Sequence, residues 1–301
     1  MPAVDPGKPR AVLLRGVGGH YLLHSHQDNF QGLAMLRGIL RLENVRPLPG
    51  DKAFYDPSDD PDIPYVIEEL LPRKSFLARP GVANLDMVLI TISATHPRPD
   101  LRMVDRLIVM SHTHNIEVVL LINKMDELDE PAEIDHIKEE YAEAGIRILE
   151  TGFNISEVEL DQLKDLIRGK MVSFAGQSGT GKSTLLNRLF AAKLMEIGDL
   201  SDKIGRGKHT TRHTELFPVE DGGYLADTPG FSQVNLAEAG ITVEDLANGY
   251  AEIRKVKHLC RFASCRHAGD LGCAVSEETM PPGRYERYLE LRAEIASAQE
   301  Y

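Results

Sequence analysis

Gly176-Gln177-Ser178-Gly179-Thr180-Gly181-Lys182-Ser183 follows the apolar run Met171 to Ala175 and opens a helical pattern from Ser183 to Phe190. Glycines in such a loop turn backbone N–H groups inward, and the helix that follows adds the positive end of its dipole, so the stretch suits a diphosphate. Lys182 is placed to reach the β- and γ-phosphates and the Ser183 hydroxyl to ligate Mg2+, with Thr184 completing the nucleotide-binding set. The competing reading is a glycine-rich turn with no ligand. Upstream, Asn123-Lys124-Met125-Asp126 follows a second buried-type strand, Val118 to Ile122. That places it at the carboxyl edge of a sheet, where open α/β proteins bind ligands. Asp126 can accept from guanine N1–H and the exocyclic amino group. Adenine offers an acceptor and no amino group there, so a buried Asp126 would be left unpaired. The Lys124 stem would cover the purine face and the Asn123 amide would brace the surrounding loops. In the usual domain of this kind the phosphate loop comes first and the base-reading segment near the end. The order here is inverted, as a circular permutation produces.

Downstream, Asp227-Thr228-Pro229-Gly230 ends a strand. Its carboxylate can hold Mg2+ through water, and the Gly230 N–H can meet a γ-phosphate. Between the two motifs, Gly205-Arg206-Gly207-Lys208-His209-Thr210-Thr211 is a glycine-flanked polar stretch suited to a switch, with Thr210 or Thr211 completing the Mg2+ shell. Many phosphate-loop enzymes place a water-orienting glutamine just after Gly230, but this chain has Phe231. Phenylalanine cannot orient water. His209 is the candidate catalytic group instead, because histidine accepts or relays a proton near neutral pH; a solvated loop histidine is the alternative.

Working outward, the region from Leu85 alternates short apolar strands with amphipathic helices, the pattern of a parallel sheet covered by helices on both faces. Strands are expected at Met87 to Ile92, Val118 to Ile122, Arg147 to Leu149 and Met171 to Ala175, and a hairpin at Thr214 to Val219 and Tyr224 to Ala226. One helix carries Leu101, Val104, Leu107 and Ile108 on its apolar face, and another carries Ile134, Ile137 and Tyr141. The Glu133, Glu139, Glu140 and Glu143 side of the latter reads as solvated. Ala11 to Ile67 is punctuated by glycine and proline, with short alternating segments such as Leu36 to Leu42, and reads as a small antiparallel barrel. Leu71 to Gly81 reads as a linker. The chain turns helical from about Thr242 and ends in a helix over Arg284 to Ser297.

A chain of 301 residues corresponds to two or three domains at roughly 150 residues each. Its net charge of -12 argues against coating nucleic acid through bulk charge, so a polyanionic partner would need local basic patches. The segment from Lys8 to Arg46 supplies one. No apolar run approaches the roughly 20 residues of a membrane span, and Met1 to Arg10 lacks the apolar core of a secretion signal, so a cytoplasmic protein is expected.

All three cysteines fall between Cys260 and Cys273. Cys260, Cys265, His267 and Cys273, spaced C-x4-C-x-H-x5-C, form a complete tetrahedral ligand set with no open position. One structural Zn2+ is the expected ion. Chance clustering of reduced cysteines is the alternative. Arg254, Lys255, Lys257, Arg261 and Arg266 surround these ligands, which suits contact with nucleic acid, or a merely solvated face.

These features together resemble the ribosome small-subunit-dependent GTPase A family over nearly the whole chain. The most specific are Gly176 to Ser183, Asp227-Thr228-Pro229-Gly230-Phe231 and the Cys260 to Cys273 cluster. The resemblance implies an OB fold over 1–73, a circularly permuted GTPase domain over 74–236 and a helical zinc-binding domain over 237–301. It also implies GTP hydrolysis with Mg2+, stimulated by the 30S subunit, and action late in 30S assembly by a monomer that binds 16S rRNA. Members commonly carry a serine-rich loop behind the guanine, where this chain has Glu150-Thr151-Gly152-Phe153-Asn154. Thr151 and Gly152 are the residues placed to offer backbone N–H groups there. The rival reading is an RNA-binding module in which GTP is a structural ligand and hydrolysis is vestigial.

Overall fold

The computed structural model describes residues 9–42, 45–129, 132–190, 214–219, 222–228 and 230–299. His209, Thr210, Thr211 and the rest of the expected switch lie outside them.

The chain starts as a closed barrel of five strands. β1 (Arg10–Val17), β2 (His20–Ser25), β3 (Phe30–Leu36), β4 (Lys52–Pro57) and β5 (Tyr65–Leu70) are ordered 1-2-3-5-4. All pairs are antiparallel except β3 with β5. This is the Greek-key connectivity of an OB fold, and closure leaves no open sheet edge. Ala11, Leu13, Leu23, Ala34, Ala53 and Ile67 fill the interior. The stretch expected to alternate as a strand, Leu36 to Leu42, ends β3 at Leu36 and then forms a short helix, α1 (Gly38–Leu42). The expected linker is also ordered. It contains a hairpin of β6 (Phe76–Ala78) and β7 (Gly81–Ala83), and Arg73 holds the fully buried Asp51 through two bonds of 2.7 and 2.8 Å.

The strands expected from Leu85 onward form within one residue or so of their predicted ends. They are β8 (Met87–Ser93), β9 (Glu117–Asn123), β10 (Arg147–Glu150) and β11 (Met171–Ala175). Between them lie α2 (Leu101–Thr113), α3 (Ala132–Tyr141) and α4 (Glu157–Ile167), and after β11 the helix α5 runs over residues 182–190. β8 pairs in parallel with β9, and β9 with β10. Every residue of β8 is buried, as a strand covered on both faces requires. β12 (Glu215–Pro218) and β13 (Tyr224–Asp227) form the expected antiparallel hairpin. The C-terminal region contributes α6 (Val243–Gly249), α7 (Ala251–Val256) and α8 (Pro282–Gln299). Among the described residues no helix is long and apolar enough to cross a membrane.

Two compact units result. The first joins residues 1–86 with 164–173 and 192–229, and the second joins 87–163 with 174–191 and 230–301. Within the first, β11 pairs in parallel with β13, and the barrel strand β2 meets β13 directly. His24 Nδ1 lies 3.1 Å from the Tyr224 hydroxyl and His26 Nε2 lies 3.2 Å from the Gly223 carbonyl. Within the second, α6 and α8 pack on α2, and Glu294 of α8 binds Arg102 and Arg106 at 2.8 and 3.1 Å. One face was misread from sequence. Glu139 and Glu143 are exposed as expected, but Glu140 is buried and pairs with Arg287 at 3.1 Å.

Candidate nucleotide and metal sites

The second unit brings the two halves of the expected nucleotide site together through one side chain. Asn123, at the end of β9, is buried and donates from Nδ2 to the Thr180 carbonyl of the phosphate loop at 2.8 Å. Its Oδ1 accepts from the Thr151 hydroxyl at 3.0 Å, which ties in the loop after β10. An amide is suited to this position because it donates to one loop and accepts from the other. A Cβ at Gly181 would overlap Asn123 Nδ2, so only glycine lets these two segments approach so closely.

Asp126 sits in a short 3-10 turn after the left-handed Lys124 and is exposed, not buried as expected, because the turn carries it to the open carboxyl edge of the sheet. Its Oδ1 accepts from the Phe153 N–H at 2.8 Å. Gly152 lies against that carboxylate, where a Cβ would collide with it. Asp126, Thr151 and Gly152 line a cleft of about 280 Å³, together with Met125, Asn154 and Ile155. Lys124 Nζ donates to the His96 carbonyl at 2.7 Å, which stretches its stem across the loop after β8. Arg188 of α5 braces the same region, donating to the Phe153 and Ile155 carbonyls at 2.6 and 3.1 Å. Sequence reading missed Arg188, whose only signal was its position on the helix after the phosphate loop.

In the phosphate loop, Ser178 and Gly179 form an exposed tip, and Ser183 and Thr184 are exposed in the first turn of α5. Thr180 is fully buried and donates to the Gln177 carbonyl at 3.1 Å. Gln177 in turn accepts from the Asp100 N–H at the start of α2, at 3.0 Å. Lys182 Nζ folds back on the loop and donates to the carbonyls of Gly176 and Gln177 at 2.8 and 2.5 Å. Burial lowers its pKa, so an arriving phosphate offers this ammonium a partner that offsets desolvation.

Asp227 ends β13 opposite Glu215, and the Thr228 hydroxyl lies 2.7 Å from that of Ser173 on β11. Gly230 is left-handed at φ 76° and begins a short turn in which Phe231 is only 2% exposed. Phe231 is therefore a core side chain.

Cys260, Cys265, His267 and Cys273 bring their four ligand atoms within 4.8 Å of one another. A tetrahedral thiolate site with metal–sulfur bonds of about 2.3 Å separates its donors by about 3.8 Å, so the set fits a metal ion. His267 Nδ1 lies 3.5 Å from Cys260 Sγ and 3.8 Å from Cys273 Sγ. Backbone N–H groups of Ala274 and Val275 donate to the sulfurs of Cys260 and Cys273 at 3.4 and 3.3 Å, which orients both ligand atoms. Asp270 shapes the loop by accepting from the N–H groups of Arg266 and Ala268 at 3.1 and 3.2 Å. Of the basic residues around this cluster, Lys255 pairs with Glu143 and the half-buried Arg254 donates to the Asn248 carbonyl. Lys257, Arg261 and Arg266 are exposed, beside exposed Leu259 and Phe262, and the Arg261 guanidinium stands 5.3 Å from the Phe262 ring centre.

Residues 70–237 match the family model described as RsgA GTPase. The chain is 37% identical over 294 residues to the "Small ribosomal subunit biogenesis GTPase RsgA" of Ruminiclostridium cellulolyticum, covering 96% of this chain and 95% of that one. It is 39% identical over 292 residues to the protein of the same name from Moorella thermoacetica, covering 96% and 98%. Among solved structures, YjeQ from Thermotoga maritima superposes with a TM-score of 0.76 at 28% identity, over 95% of this chain and 98% of that one. YloQ, described as a circularly permuted GTPase, superposes with a TM-score of 0.77 at 27% identity, over 98% of each chain.

Proposed function

We propose, from the premise that the chain belongs to the RsgA GTPase family and is a GTPase, that it acts in biogenesis of the small ribosomal subunit. Identity of 37% and 39% over nearly the full length to proteins named small ribosomal subunit biogenesis GTPases carries this reading, and the Asn123 bridge supports the nucleotide site within it by joining the base-reading segment to the phosphate loop although the chain order is inverted. Guanine would pair with Asp126, with Thr151 and Gly152 beside it and Lys124 over the ring. Phosphates would take N–H groups of the loop from Gln177 to Ser183 and draw Lys182 off the two carbonyls it now holds. Ser183 would hold Mg2+ through its exposed hydroxyl, and the ion would neutralise charge developing on the phosphates.

The proposed partner is the 30S subunit, met by a cytoplasmic monomer through 16S rRNA, with division into 1–73, 74–236 and 237–301. Exposed Arg261, Arg266, Lys257 and Phe262 offer phosphate contacts and a stacking surface, as single-stranded RNA binding uses. The His24 and His26 contacts to β13 would let RNA bound at the barrel bias the strand that ends in Asp227. Adding 30S subunits to the purified protein with GTP is expected to accelerate phosphate release. His209→Ala is expected to remove that acceleration and leave GTP affinity intact. No acceleration in the wild type would reject the partner, and an unaffected variant would reject the role of His209.

The rival reading, structural GTP in an RNA-binding module, draws on the burial of Phe231, which leaves no water-orienting side chain at its position. Single-turnover hydrolysis with the subunit present separates the two.

Zinc is the proposed ion of the Cys260, Cys265, His267 and Cys273 site, as a structural staple. A strong chelator is expected to withdraw about one equivalent per chain and open the loop around Cys265 to proteolysis. Metal analysis finding no zinc in freshly purified protein would reject the assignment.

A further inference from the structure

Ser232 lies two residues beyond Gly230, in the same short turn as the buried Phe231. Its hydroxyl accepts from the Gly176 N–H at 2.8 Å and donates to the Gly176 carbonyl at 3.1 Å. Gly176 is the first residue of the phosphate loop. The same carbonyl accepts from Lys182 Nζ at 2.8 Å. One backbone oxygen is thus shared between the ammonium that must leave to meet phosphate and a hydroxyl of the segment that follows Asp227-Thr228-Pro229-Gly230.

We infer that Ser232 is a positioning residue that locks the turn after Gly230 to the root of the phosphate loop, so that contact between Gly230 and a γ-phosphate is registered at Gly176. This rests on the GTP-binding reading above. When Lys182 moves to the phosphates, the Gly176 carbonyl keeps a partner in the Ser232 hydroxyl, and the Gly176 N–H stays satisfied. The turn is then held at a fixed distance from the loop, with Gly230 in reach of the third phosphate. GDP has no third phosphate and gains little from this arrangement. Coupling of this kind is reciprocal, so a partner that stabilises the turn favours the triphosphate by the same factor by which the triphosphate favours that partner. Ser232 acts through Gly176, whose carbonyl it shares with Lys182.

The test compares affinities of the full-length wild type, Ser232→Ala and Ser232→Thr for GDP and for a non-hydrolysable GTP analogue, with thermal midpoints measured nucleotide-free. For Ser232→Ala the analogue is expected to bind about tenfold more weakly, corresponding to about 1.4 kcal/mol, while GDP changes less than about twofold. Ser232→Thr keeps the hydroxyl and is expected to return analogue affinity to within about threefold of wild type. Equal weakening for both nucleotides would reduce Ser232 to general support of the loop and overturn the coupling. An unchanged ratio in Ser232→Ala would overturn it as well, as would failure of the threonine variant to recover the triphosphate preference. If the wild type binds neither guanine nucleotide, the underlying GTP reading fails first, and that outcome is separately visible.

Discussion

Asp126→Asn is expected to weaken GTP binding by roughly 10²- to 10⁴-fold and to create a preference for the xanthine nucleotide. Each hydrogen bond to a charged group contributes about 1.5–3 kcal/mol, and guanine would give Asp126 two of them. Asparagine keeps an oxygen for the Phe153 N–H, which Asp126 Oδ1 accepts at 2.8 Å, so the loop after β10 stays in place. Its amide nitrogen, however, meets the guanine amino group donor to donor. Xanthine carries a carbonyl at that position and restores the pair. Competition titrations with GTP, XTP and ATP check this. A loss of GTP affinity under about fivefold, or no gain for XTP, would show that the carboxylate does not read the base.

The second large effect is expected at Arg284, which is 1% exposed. Its Nε binds Glu252 Oε1 at 2.6 Å, its NH1 binds Asp105, and its guanidinium stands 4.7 Å from the ring centres of both Tyr141 and Tyr250. Arg287 adds Asp105 Oδ2 at 2.6 Å and Glu140 Oε1 at 3.1 Å. Burial acts to lower the pKa of Arg284, but Asp105 and Glu252 outweigh it and hold the group well above its ordinary value. Arg284→Met therefore leaves Asp105 and Glu252 buried with reduced compensation, which costs about 3–5 kcal/mol. At 2–4 °C per kcal/mol, the unfolding midpoint of the transition that includes α8 is expected to fall by roughly 6–20 °C. Replacing Asp105, Glu252 and Arg284 together by apolar residues of similar volume is expected to recover most of that loss, because no charge is then left without a partner. A shift under about 2 °C in the single variant would show that the network contributes little.

The candidate nucleotide and metal sites stand out in sequence because the chemistry expected of them is written in short contiguous patterns. Gly176 to Ser183, Asn123 to Asp126 and Cys260 to Cys273 each carry their residue types at fixed spacing, and local backbone geometry does the rest. Apolar runs at Met87 to Ser93 and Met171 to Ala175 marked buried parallel strands for the same reason. Thr151 and Gly152 were harder. Nothing in Glu150-Thr151-Gly152-Phe153 alone says that Thr151 holds the Asn123 amide or that Gly152 must make room for Asp126.

The sequence by itself marked a glycine-rich loop suited to phosphate, a segment suited to reading guanine and four residues that could hold a metal, with the first two in permuted order. Only the tertiary structure decided that Glu140 is a core residue, that Arg284 pairs with Asp105 across 179 positions, and that Ser232 closes on Gly176 across 56. A motif is specified by bonds along the chain, whereas an isolated Ser, Arg or Glu on a helix or turn reads as solvated until its burial is known. Desolvation decides which charges must be paired, and it depends on what the fold places around them.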